Sequence, residues 1–129
     1  RICEGTIMSV MTGKIDIQGG GKSLKEIAKN AVQWCLDTDV ITKKELYVNV
    51  KICKYTTHQC WGSVERAGFN AFNVTVASNQ SLRDFVATLM HEMVHINQYV
   101  TGEWEGDGEA EASSREYDLA DAFWKDGNI

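Results

Sequence analysis

His91 and His95 stand four residues apart in the segment LMHEMVHINQ (89–98), with Glu92 directly after the first. On a helix, residues i and i+4 lie one turn apart on one face, so both imidazoles can reach one ion at ~2.0–2.1 Å from each nitrogen. A glutamate at i+1 is turned to the flank. From there it can take a proton from a water activated at the ion instead of joining the ligands. Five residues with three fixed also recur by chance, so the surrounding elements decide the weight of the pattern.

Ser81 is suited to cap a helix running from about Leu82 to Thr101, and Gly102 to close it. With His91 set at 0° and about 100° per residue, Leu82, Phe85, Val86, Leu89, Met93, Ile96 and Val100 fall between about 120° and 220°. Asp84, Thr88, His91, Glu92 and His95 fall between about 0° and 100°. One face should therefore anchor the helix while the other shows the histidines to a cleft. The bland alternative, a pair of satisfied core histidines, does not fit that division.

Catalytic zinc takes three protein ligands and leaves a position for water. A last helix is expected from about Glu109 to Lys125, and the acids near it are Glu103, Glu105, Asp107, Glu109, Glu111 and Glu116. With Glu109 at 0°, the apolar residues Ala112, Tyr117, Leu119, Ala120, Phe123 and Trp124 average close to 0°, with Glu116 near 340° and Glu111 near 200°. An inward carboxylate costs free energy unless it is paired or bound to metal, which favours Glu109 as the third ligand. Its plain alternative is an acid stabilised at a helix N-terminus. Glu116 follows, as a ligand or as an acceptor that orients a histidine. Glu103, Glu105 and Asp107 read as solvated loop acids.

The elements that must position these residues come from the rest of the 129-residue chain, long enough for one domain with its own core. Residues 6–17 read as extended, with two short strands about Gly13, and Gly19–Gly21 break the chain. Ser23 and Glu26 form a potential capping box for a helix ending near Asp37, whose buried face carries Leu24, Ile27, Ala28, Ala31, Val32 and Cys35. Residues 46–53 alternate as a strand, 56–68 read as a loop or ragged hairpin, and 71–76 alternate again. This order points to an α+β domain with helices on a small antiparallel or mixed sheet.

Composition narrows the function classes. The net charge is −5 and no basic stripe occurs, so nucleic acid is not the expected partner. Lys43, Lys44, Lys51 and Lys54 read as a solvated face. No apolar run reaches 18 residues, so no membrane helix is expected. No signal-peptide pattern is visible, which favours the cytoplasm, although the chain opens on Arg1 and not on Met. Cys3, Cys35, Cys53 and Cys60 contain no CxxC pair, so a zinc knuckle is not expected. Cys53, His58 and Cys60 read as partly buried thiols beside a loop histidine. A monomer is expected.

HEMVH, a short linker and then GEAEA opening a helix together resemble the gluzincin-type zinc metallopeptidases. The small single-domain minigluzincins and compact HExxH proteins of phages and bacteria are the nearest in kind. The likeness is specific over residues 81–124 and architectural before that. It implies a single zincin-like domain over 1–129: an N-terminal helix, a small twisted sheet with an exposed edge strand, an active-site helix and a C-terminal helix. It also implies one Zn²⁺ on His91, His95 and Glu109, with Glu92 as general base for peptide-bond hydrolysis. A peptide or protein substrate would lie along the edge strand, placed at 69–77, by strand addition. A donor for the oxyanion is expected too, Tyr117 first, with Tyr99 and His58 as alternatives.

Two departures from the family stand out. The link from His95 to Glu109 is shorter than in larger gluzincins, and Ser113 stands where many relatives carry an aspartate that supports a zinc histidine. Peptide deformylases share HExxH but add a cysteine in an EGCLS-like segment, which this chain lacks. The alternatives are a zinc-stabilised peptide-binding domain without turnover, and a metal-free interaction module in which HEMVH is accidental.

Overall fold

Val48, Val50 and Ile52 alternate with Tyr47, Asn49 and Lys51, and the first set is buried while the second is exposed. Beside them Phe72, Val74 and Val76 are buried too, and alternate with the partly covered Ala71, Asn73 and Thr75. Two such half-buried strands need a layer of helices over their apolar face. The computed structural model describes residues 14–55 and 60–126, and the expectations for 6–13, Cys3 and His58 lie outside them.

The described residues form β1 (Lys14–Gly19), α1 (Lys22–Asp37), β2 (Tyr47–Cys53), β3 (Gly62–Gly68), β4 (Ala71–Ala77), α2 (Leu82–Thr101) and α3 (Glu109–Lys125). This is an α+β fold whose four-stranded mixed sheet has the order β1-β2-β4-β3. β1, β2 and β4 run parallel, and β3 pairs with β4 antiparallel. No helix among the described residues is long and apolar enough to cross a membrane.

The core joins the inner sheet face to Ala28, Ala31, Val32 and Cys35 of α1, to Phe85, Leu89, Met93 and Ile96 of α2, and to Ala120 and Phe123 of α3. α2 is the hub, in contact with α1, α3, β3 and β4. The apolar stripe read from the sequence therefore anchors it. Leu82, in its first turn, is the exception and lies exposed. Cys35 is fully buried, and burial pushes its thiol pKa up, so it acts as a small apolar filler.

Two expectations need correction. Residues 69–77 do not form the edge strand, because β4 lies between β2 and β3. The edges among the described residues are β1 and β3, and the one packed against α2 is β3, within the segment read as a loop or ragged hairpin. It escapes period-two reading because it buries little: only Gly62, Ser63 and Val64 are partly covered, while Glu65 and Arg66 face water. Charged residues on an edge also discourage unwanted pairing. The second correction concerns α1, which begins at Lys22, with Gly21 at the N-cap and no side-chain cap. The Lys25 amide closes the first turn on the Gly21 carbonyl at 3.0 Å, which places Ser23 inside the helix.

Leu89 is fully buried where α2 enters this core. Leu89→Ala should lower unfolding free energy by about 2–5 kcal/mol in urea titrations, through lost burial and the cavity left behind.

Candidate metal centre

The centre is held by two helices and one strand. α2 starts where Ser81 Oγ accepts from the Asp84 amide at 3.1 Å, and it ends at Gly102 in the left-handed region. α3 starts after Gly108, also left-handed at φ 81°, and Asp107 Oδ1 accepts from the Glu109 amide at 3.0 Å. Asp107 thus caps the first turn of α3, a task its reading as a solvated acid did not include.

The three expected ligands converge. His95 Nε2 lies 2.6 Å from Glu109 Oε2, His91 Nε2 lies 3.1 Å from Glu109 Oε1, and the two Nε2 atoms are 3.2 Å apart. Ligands ~2.0–2.1 Å from a tetrahedral ion would be separated by ~3.3 Å; the two separations from His91 Nε2 are close to that, and the His95–Glu109 pair, at hydrogen-bond distance, would have to open to admit an ion. Among the described residues this is the one group of three His, Cys, Asp or Glu side chains gathered in this way. Glu109 was expected on an inward face, yet its side chain is 54% exposed. It stands at the rim, in the first turn of α3, and meets the histidines from there.

Both outer imidazole nitrogens have acceptors. His91 Nδ1 lies 2.8 Å from Glu116 Oε1, and His95 Nδ1 lies 2.8 Å from Gln98 Oε1. Each Nδ1 can donate its proton there, which leaves Nε2 with a lone pair facing the shared point. Glu116 therefore takes the orienting role foreseen for it.

Gln98 was not foreseen. Its Nε2 donates to the Gly108 carbonyl at 3.0 Å and to Glu111 Oε1 at 2.9 Å, so its amide oxygen must be the atom facing His95. The side chain is buried, and a Cβ on Gly108 would collide with it. A signal was present: seven residues after His91, Gln98 falls at about 340° on the wheel, on the histidine face. Glu111, expected to face solvent, is half-exposed and anchors this amide.

Glu92 is only 5% exposed, and no hydrogen bond among the described residues occupies its carboxylate. Burial pushes its pKa up, while the charges of His91 and His95 pull it partly back. β3 closes over it: a Cβ on Gly62 would stand 3.0 Å from Glu92 Oε2 and 2.5 Å from Thr88 Cγ2. Burial disfavours the His91 cation, but the bond to Glu116 and the charges of Glu92 and Glu109 outweigh it and raise its pKa.

Two lobes of one cleft meet at Gly62, His91 and Glu92. The larger, about 600 Å³, adds Trp61, Asp84, Glu116 and Tyr117 to its walls. The smaller, about 340 Å³, contains all three ligands together with Ser63, Val64, Tyr99 and Asp107. The two tyrosines named as donors stand in different lobes. The Tyr117 hydroxyl is turned to Asp84 Oδ1 at 2.7 Å, so its donor is already engaged, whereas Tyr99 borders the lobe that holds the ligands.

Comparisons with protein-family profiles, with curated proteins and with solved structures found no match.

Gln98→Leu keeps the size of the side chain but removes the acceptor for His95 and the tie to Gly108. Zinc affinity, measured by chelator competition, should fall roughly 10–100-fold, as is usual when a partner of a ligating histidine is lost.

Proposed function

We propose that this chain is a zinc-dependent peptidase of gluzincin type. The observation that carries the reading is the Glu92 carboxylate, buried and without a hydrogen-bond partner among the described residues, beside three convergent ligand atoms. Such a group is costly to retain unless something binds next to it.

His91, His95 and Glu109 would hold the ion. Bound zinc supplies Lewis acidity, which lowers the pKa of a water and polarises a carbonyl oxygen. Glu92 takes the proton of the attacking water and delivers it to the leaving amine. Its raised pKa brings it closer to neutrality than a surface glutamate, which suits both transfers. Tyr99, from the lobe shared with the ligands, is the better-placed donor to the developing oxyanion, because the Tyr117 hydroxyl is bonded to Asp84. An extended substrate pairs with the outer edge of β3, which has no strand beside it among the described residues and supplies backbone donors and acceptors along the cleft.

Metal content by mass spectrometry is the first test. Wild type should retain about one zinc ion per chain, the number one such site holds. Glu109→Ala should lose most of it and Glu116→Ala less. Absence of zinc after supply at neutral pH would remove the reading.

Glu92→Gln should then keep its zinc while cleavage of a fluorogenic peptide mixture drops by roughly 10²–10⁴. Full zinc occupancy without cleavage of any peptide would leave a zinc-stabilised peptide-binding domain in its place. Equal rates for wild type and Glu92→Gln would sink the general-base assignment.

A further inference from the structure

The larger lobe has a chemistry of its own. Its walls carry three carboxylates, Asp84, Glu92 and Glu116, and no lysine or arginine. Glu116 is engaged by His91, and Glu92 belongs to the reaction. Asp84 remains at the end of the lobe formed by the first turn of α2. The Tyr117 hydroxyl donates to one of its oxygens and holds its pKa below the ordinary carboxylate range, so it is ionised at neutral pH. Trp61 and Tyr117 present exposed rings on the same lobe. Arg83 lies over the Tyr117 ring and is held first by Asp121, through two bonds of 3.2 and 3.1 Å, while Asp84 feels its charge only as a smaller effect.

We infer that this lobe is a subsite for a cationic side chain, lysine or arginine, on the substrate residue that flanks the scissile bond. The inference rests on the peptidase reading and adds a substrate class to it. An apolar stem would lie along the Trp61 and Tyr117 rings while its charge approaches Asp84. The lobe's 600 Å³ is room for such a side chain, and its wall is shared with His91 and Glu92 at the reacting centre. The Glu92 carboxylate, buried and without a hydrogen-bond partner among the described residues, lines the same space and marks it as one that a ligand enters. The net charge of −5 would draw basic peptides toward the chain from a distance.

The test uses the zinc-loaded full chain and four hydroxamates. Two carry the lysine side chain or its uncharged isostere, norleucine, on one side of the chelating group, and two carry them on the other side. Dissociation constants come from calorimetry, with zinc content measured on the same samples. In one of the pairs the lysine compound should bind roughly tenfold tighter, a size set by cation–π and partly exposed charge pairing. Asp84→Asn should bring that ratio close to 1. Hydroxamates that bind with a ratio near 1 in both pairs would overturn the subsite and leave the peptidase reading standing. A chain that retains no zinc would overturn both at once, and the zinc assay tells the two failures apart.

Discussion

The centre depends on one buried amide more than on any other contact. Gln98 sits on α2, yet both of its N–H donors reach the start of α3, at the Gly108 carbonyl and the Glu111 carboxylate. Its oxygen faces His95 Nδ1. A single side chain thus sets which nitrogen of His95 is free and where Glu109 begins. The arrangement requires glycine at 108 twice over, because the backbone is left-handed there and a Cβ would meet the amide. A half-satisfied amide at this depth would cost more than it contributes, so the network is built as a whole.

The second constraint is the approach of β3 to α2. An edge strand normally keeps its distance from a helix by the width of a side chain. At Gly62 there is none, and the backbone comes down over Thr88 and Glu92. Water is thereby kept from most of the Glu92 carboxylate. Removing water raises its proton affinity, and the two histidines limit the rise. The same contact divides the cleft into its two lobes, with His91 and Glu92 at the junction. Position and proton affinity at the site therefore share one cause, a missing side chain on the edge strand.

Much of this was legible in the chain itself. The span of α2 and its caps, the split between its apolar and polar faces, and the shared face of His91 and His95 follow from 3.6-residue periodicity, whereas Glu109 gathers with them from an exposed rim that its wheel position did not show. The same holds for α3, which spans Glu109–Lys125 as the periodicity predicts. What escaped was β3, because an edge strand with one partly covered end carries almost no alternation. The hydrogen bond that the Tyr117 hydroxyl makes was not legible for a related reason. A wheel shows which way a side chain leaves its own helix, but Asp84, which takes its hydroxyl, belongs to a different one.

The sequence by itself determined the helices, the inner strands and the local pattern: an HExxH turn, a following acidic helix and an α+β order, each a matter of short-range spacing. Only the tertiary structure decided which strand forms the edge, which partner fixes each histidine, and which lobe each tyrosine faces. Periodicity reports how a segment divides between core and water. It is silent about which of several polar groups, far apart in the chain, will meet, because hydrogen bonds such as Gln98 to Gly108 and Tyr117 to Asp84 are set by how whole helices dock.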